Sequence, residues 1–356
     1  MRLLRAYIVV AILQGVALVL AVLVCVGAFI EFVGQLDDVG VANYGLAEVA
    51  TYVALRIPRL IVEVLPIAAL LGALLSLGNL AVHRELVVMR ASGISQMGLL
   101  SAVAFAGFML LVVMVLLGES LAPSLGAYAR EMRTRALLDD VGLAAGESTW
   151  LKDGDRIINL RRPAGGPSFG REVFLFDLAE DGTLQQVARA DSTDIDLDNQ
   201  LVLVNYQETA FSPEGMTVRR ERDARRNFSL SPDLLGLSIV REDLLDTRSL
   251  ERYIGYLRDN ELDADRYLVA YWARIANAVS VVLMTVLALP FVFGGLRSAG
   301  AGARLVVGLV IGLSYYGLGE VFANSGEVFD LDPLLVAWTP SALLFLVTLG
   351  ALVRVR

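Results

Sequence analysis

The chain has 356 residues, a formal net charge of -8, 56% hydrophobic residues and a mean hydropathy of +0.62, with one cysteine and one histidine. Cys25 and His83 therefore exclude an internal disulfide, a cysteine or histidine metal site and any Cys-His or Ser-His catalytic pair. Lys152, the sole lysine, is followed by Asp153, so no GxxxxGK[ST] phosphate loop exists and the chain has no ATP site of that kind; no basic stripe with interleaved aromatics points to nucleic acid.

Six apolar segments each approach the roughly 20 residues that a helix rising about 1.5 Å per residue needs to cross a hydrocarbon core about 30 Å thick. They run from Ala6 to Val33, Leu60 to Ala81, Met97 to Leu117, Ile275 to Phe293, Leu305 to Phe322 and Leu334 to Val353. The first starts almost at Met1 and continues past Cys25, which reads as an uncleaved anchor rather than a signal peptide. Pro66 and Pro290 are candidate kinks, Gly308 and Gly312 form a GxxxG in the fifth span, and Glu320 near its outer end is an intramembrane acid or a hydrated interfacial one.

Between the third and fourth spans lies a polar insert. Glu119 to Leu138 continues the third span as a helix. Six strands follow, Trp150 to Leu160, Glu172 to Leu178, Gln185 to Ala190, Ser192 to Leu197, Leu201 to Thr209 and Met216 to Glu221. Turn signals at Asp153-Gly154, Gly165-Gly166-Pro167, Asp181-Gly182, Asp198-Asn199 and Pro213-Glu214-Gly215 separate or interrupt them. No long amphipathic helix intervenes, so an antiparallel sandwich or jelly-roll fits better than a βαβ domain. Ser249 to Asn260 is a short helix with Leu250, Tyr253, Ile254 and Leu257 on one face, and Tyr267, Tyr271 and Trp272 are interfacial anchors. The expected fold class is a polytopic α-helical membrane protein with six transmembrane helices and an antiparallel β jelly-roll-like domain between helices 3 and 4. Its domains are 1–138, containing a cytoplasmic helix at about 83–93, then 139–246, then 247–356.

Arginine placement sets the expected orientation, because basic residues near span ends stay in the cytoplasm. Arg2, Arg5, Arg84, Arg90, Arg297, Arg304, Arg354 and Arg356 fall on one side, while Asp37, Asp38, Glu48, Glu327, Asp330 and Asp332 fall on the other. Both termini are then cytoplasmic and the insert lies outside. Arg56 and Arg59 break the pattern.

The turn between the second and third spans reads HRELVVMRASGIS from His83 to Ser95. It predicts a short helix, with Leu86, Val87 and Met89 free to face a partner or the membrane, charged by Arg84, Glu85 and Arg90 and stopped by Gly93. Two readings stand: an interfacial turn that satisfies its backbone at the membrane surface, or a coupling helix that docks into a separate ATPase subunit and receives work from it.

The ELVVMRASG run at Glu85 to Gly93, preceded by LPIAALLGALLSLGNLA at Leu65 to Ala81, resembles the LptF/LptG (YjgP/YjgQ) family of lipopolysaccharide-export permeases. FVGQL at Phe32 to Leu36, GESLAP at Gly118 to Pro123, YIGYLRDN from Tyr253, and FVFGGLRS at Phe291 to Ser298 extend the likeness over all six spans. ELVVM and LRS lean toward the LptG branch.

The resemblance implies an inner-membrane ABC transporter. In it this chain pairs with an LptF-like permease, above an LptB-like ATPase dimer that binds the ATP and magnesium, with an LptC-like anchored protein and an LptA-like bridge. Lipopolysaccharide enters the cavity between the permeases and is pushed into the periplasmic jelly-rolls. It implies no cofactor and no catalysis in this chain. The resemblance also assigns substrate phosphate to Arg59, Arg130 and Arg133, the ATPase contact to Arg84, Glu85, Met89 and Arg90, and part of a lateral gate to Gly308 and Gly312. Guanidinium suits phosphate because it donates two parallel hydrogen bonds. The competing readings are that these arginines reach lipid headgroups or pair with Glu119, Glu131 or Asp139, and that the glycines serve packing within the chain. Family members often carry lysines where this chain has Glu31, Asp37 and Asp38, so the first helix is expected to grip an anionic headgroup less, with a modified lipid or the remaining arginines compensating. A different class of function, a membrane receptor or assembly scaffold with an external ligand-binding sandwich, fits the same layout.

Overall fold

The structure, a computed structural model, describes residues 2–41, 43–93, 95–138, 148–161, 172–179, 182–195, 200–212, 215–227, 245–293, 300–329 and 331–354. Six helices are long and apolar enough to cross a membrane. They are α1 (Arg2–Gly34), α2 (Leu46–Val82), α4 (Gln96–Leu116), α7 (Asp265–Phe293), α8 (Ala301–Phe329) and α9 (Pro333–Arg354), with the short α3 (Glu85–Ala91) between α2 and α4. All six expected spans are present. Several run further than their apolar segments: α2 has 37 residues, about 56 Å at the usual helical rise. Its first turns, Leu46 to Arg59, were not legible as helix because their apolar residues alternate with Glu48, Arg56 and Arg59.

One compact unit holds Met1–Val39, Leu46–Arg130 and Asp265–Arg356. α2 and α7 form its axis: α1, α7 and α8 pack on α2, while α4 and α9 pack on α7. The α1–α2 contact is a backbone approach. A Cβ on Gly72 would sit 2.4 Å from Val16 Cα, one on Gly15 would sit 2.7 Å from the Gly72 carbonyl, and Ser76 Oγ donates to the Ala11 carbonyl at 2.8 Å. Small residues thus hold helices together where apolar lipid removes the hydrophobic drive for association.

The third span leaves α4 through a π-turn, Leu117–Leu121, and continues as α5 (Ala122–Leu138). Pro123 supplies the reason: it has no N–H to give to residue 119, and the wider turn absorbs the missing bond. Pro58, Pro66, Pro290 and Pro340 all lie inside continuous helices.

The second unit comprises Gly40–Gly45 and Glu131–Ala264. Its strands are β1 (Ser148–Asp153), β2 (Arg156–Arg161), β3 (Glu172–Leu178), β4 (Leu184–Ala190), β5 (Ser192–Ile195), β6 (Gln200–Ser212) and β7 (Gly215–Asn227), followed by α6 (Thr247–Asp259). The segment read as one strand from Trp150 to Leu160 is a hairpin. Asp153 pairs with Arg156 around Gly154, whose φ of +61° glycine tolerates best. The turn signals at Gly165-Gly166-Pro167 and Asp198-Asn199, with Asp181, Pro213 and Glu214, lie outside the described residues. Every pairing is antiparallel, and the described strands make one sheet. β4 and β5 run along the same edge of β6 in one unbroken register, Gln186↔Ala210 to Ile195↔Leu201, with a bend where Asn205 adopts a φ of +55°.

One sheet face is closely packed, with Ile158, Val173, Leu175, Ala188, Ala190 and Tyr206 all buried. Arg156 grips Asp177 on the neighbouring strand with two hydrogen bonds, which keeps its guanidinium pKa above the ordinary arginine value. α6 buries Leu250, Tyr253, Ile254 and Leu257, as its periodicity predicts, and fixes the β1–β2 corner. Tyr256 Oη accepts from the Lys152 amide at 3.0 Å and donates to the Lys152 carbonyl at 2.8 Å.

Gly72→Val is expected to lower the thermal midpoint of the detergent-purified protein, with a stability loss of about 1–3 kcal/mol. The same change at Gly34, with nothing within 4 Å of its Cβ position, should leave the midpoint alone; equal midpoints would contradict the close α1–α2 approach. Tyr256→Phe removes both bonds to Lys152 and should cost about 1–3 kcal/mol, read as faster hydrogen exchange at the Lys152 amide. Unchanged exchange would contradict it. Burial pushes the Tyr256 hydroxyl above its ordinary range, so its stabilisation is complete below that range and is lost as pH climbs through the raised value.

Candidate functional site

Charged side chains gather at both ends of the helical unit. At the end where α1 finishes and α2 begins, Glu31 forms an ion pair with Arg56, which also donates to Tyr52 Oη at 3.2 Å and lies over the Tyr52 ring. One turn further along α2, Arg59 pairs with Glu63 at 2.7 Å. Arg130 and Arg133 are half-buried and three residues apart on α5, whereas Glu131, considered as their partner, bonds Arg135 at 2.5 Å. Arg59 and Arg130 belong to the helical unit, Arg133 to the sheet unit.

The acid at Glu31 therefore does not stand as a bare negative charge. It is cross-linked to the arginine that broke the inside rule, and the two anomalies explain each other. An acid at the close of one span and a misplaced arginine at the opening of the next are a legible signal once read together; singly, neither predicts the pair.

At the opposite end, α3 begins after Arg84, whose φ of +62° makes the sharp exit from α2, and ends before Gly93 at φ +92°. Ser95 caps α4 by accepting from the Gly98 amide at 3.1 Å. Glu85 Oε2 accepts from the Tyr7 hydroxyl at 2.9 Å, a link from α1 to α3 that no spacing in the sequence announced. The expectation that Leu86 and Met89 face outward is corrected: both are buried in the helical core, at 2% and 7% exposure. Helical geometry puts positions 86 and 89 on one side and leaves Val87 and Val88 as the outward pair, at 47% and 63%. Arg90 lies on α3 by its backbone.

Gly308 and Gly312 of α8 are turned to their own chain. A Cβ on Gly308 would lie 2.6 Å from Leu71, and one on Gly312 would lie 3.0 Å from Ile67, both on α2. Close packing within the chain, the competing reading, is what the GxxxG does here. The rest of α8 is the least covered of the spans, with 11% of its apolar window buried, and exposes Val306, Val310, Leu313 and Tyr316. Glu320 is exposed beside a cavity of about 190 Å³ in which the Tyr315 hydroxyl donates to Asn277 Oδ1 and lies 3.0 Å from Ser341 Oγ. Arg304, read from sequence only as an inside-marking charge, is 3% exposed and lies over Gly78, where a Cβ would come within 2.2 Å of Nη1. Among the described residues no cluster of His, Cys, Asp or Glu is placed to hold a metal.

Six helices long and apolar enough to cross a membrane, with a sheet inserted between the third and fourth, define a multi-pass membrane protein. The family description "Lipopolysaccharide export system permease LptF/LptG" matches residues 6–354, and the chain belongs to that family. It is similar to the lipopolysaccharide export system permease protein LptG of Escherichia coli K12, 32% identical over 98% of this chain and 97% of that protein. It is 33% identical to the LptG of Haemophilus influenzae over 96% of this chain and 95% of the relative. The LptF of E. coli K12 is 24% identical over 82% and 78%. The lean of ELVVM and LRS toward LptG agrees with these identities, although Leu296, Arg297 and Ser298 lie outside the described residues.

Arg56→Ala leaves Glu31 in a half-buried position without its counter-ion and should cost about 1–3 kcal/mol. Arg56→Ala with Glu31→Ala should recover part of that loss in thermal denaturation. A double variant no better than the single would contradict the pairing.

Proposed function

We propose that this chain is the LptG-like permease subunit of an inner-membrane lipopolysaccharide exporter, pairing with an LptF-like permease and driven by a separate LptB-like ATPase dimer, with LptC-like and LptA-like proteins receiving the glycolipid. The observation that carries this reading is a family match running through every span and across the insert. The arginine asymmetry supports termini and α3 in the cytoplasm and the sheet in the periplasm.

Two ends then do two jobs. At the periplasmic end, Arg59, Arg130 and Arg133 hold headgroup phosphate, with Arg59 exchanging Glu63 for substrate. Glu31 is occupied by Arg56, so the first helix adds little attraction for an anion and the arginines carry the grip. At the cytoplasmic end, Val87 and Val88 make the apolar contact with the ATPase, with Arg84, Glu85 and Arg90 around them. Met89 acts from beneath by seating α3 on the helical core. ATP and magnesium belong to the partner, and this chain supplies the passage.

Glu85→Arg in the complete assembly should lower ATP-driven glycolipid release from vesicles by at least about tenfold, because a reversed charge at a docking helix opposes its partner. Membrane insertion should stay normal. Full coupled transport would overturn the coupling role and favour a receptor or scaffold.

A further inference from the structure

The second face of the sheet is partly exposed, and its register puts unlike chemistries side by side. Across six strands one row reads Trp150, Asn159, Phe174, Arg189, Gln207 and Arg220. The adjacent row reads Lys152, Ile157, Phe176, Val187, Thr209 and Val218. Aromatic and aliphatic side chains thus dominate toward β1 to β4, with Trp150 stacked on Phe176 at 5.9 Å, and arginines gather toward β7. Trp150 is 61% exposed.

At the arginine end the bend at Asn205 opens a polar cavity of about 340 Å³ lined by Arg189, Arg220 and Arg222 together with Asp191, Asn205 and Glu221. Two of its carboxylates are engaged: Glu221 with Arg219 at 2.7 Å, and Asp191, which accepts from Asn205 Nδ2 at 3.2 Å and lies 3.8 Å from Arg189. Arg189 is held by Glu172 at 2.6 Å and lies over the Phe174 ring. Among the described residues Arg220 and Arg222 have no carboxylate within ion-pair distance. The bend is not a glycine: Asn205 carries a left-handed φ, a conformation costing of order 1 kcal/mol that needs a structural reason to persist.

We infer that this pocket is a binding site for a phosphate monoester, with Arg220 and Arg222 as its donors and Arg189 as the link to the apolar rows. Two guanidinium groups beside the Asn205 amide offer the fork geometry that phosphate oxygens accept. The aromatic strip beginning at Phe174 suits the hydrocarbon of a ligand carrying that phosphate. The site lies in the sheet unit, apart from the arginines of the helical unit, and assigns the sheet a headgroup-reading role that rests on the export reading above. Free phosphate and lipid-borne phosphate share the chemistry.

The test uses the complete assembly in vesicles, with a photoreactive amino acid at Thr209 beside the pocket and, separately, at Val62 on α2. Diphosphorylated lipid A is the probe and its dephosphorylated form the control. An adduct at Thr209 with the phosphorylated lipid, reduced about tenfold or more by Arg220→Gln with Arg222→Gln and restored by the paired lysine changes, is the expected result. Excess inorganic phosphate leaves that adduct in place if the lipid-borne group is the natural ligand and displaces it if free phosphate is; either result supports the pocket. Equal adducts from the dephosphorylated lipid, or an adduct untouched by the double glutamine change, would overturn it. Loss of the Val62 adduct as well would instead mark failure of the export reading.

Discussion

Backbone-close packing on α2 is the constraint from which the helical unit follows. Gly72 admits α1, Gly78 admits the Arg304 side chain, and Ile67, Leu71 and Leu74 receive the glycines of α8. Each of these contacts tolerates little added volume, and together they make α2 the member against which α1 and α8 are registered. The same helix carries Arg56 and Arg59 in its first half and ends at the turn into α3. One packed rod therefore joins the charged rim to the turn into α3, and α1 runs beside it, tied to α3 by Tyr7 and to α2 by Glu31.

Electrostatics at the rim is arranged by pairing rather than by accumulation. Glu31 with Arg56 ties α1 to α2 and fixes the entry of the second span, while Arg59 with Glu63 is an i,i+4 pair within one helix. Arg56 thus joins two helices through Glu31, whereas the Arg59 pair stays within α2.

The sequence made the spans legible because lipid demands long apolar helices, and it made the strands legible because turns rich in glycine, proline and aspartate interrupt period-two runs. Glu172 to Leu178 is matched residue for residue, and Ser249 to Asn260 is displaced by two residues at its start and one at its end. The polar first turns of α2 were missed because hydropathy measures the bilayer rather than the helix. Side-chain direction was the other loss. Val87 and Met89 are both apolar and two positions apart, and only packing decides that Met89 goes in and Val87 out. Likewise GxxxG states that something approaches closely without saying what, and here it is α2 of the same chain. Tyr7 meeting Glu85, and Arg304 over Gly78, join residues too far apart in the chain for spacing to reveal.

The central claim is that α2 carries displacement from α3 to the rim as one body. Spin labels at Thr51 and Val82, in an assembly whose exposed Cys25 is replaced, report the length of that rod directly. The account predicts the same distance distribution with the partner ATPase empty and with it holding a non-hydrolysable nucleotide. A distribution that shifts or splits on nucleotide binding would mean that α2 bends or unwinds during the cycle, and would contradict it.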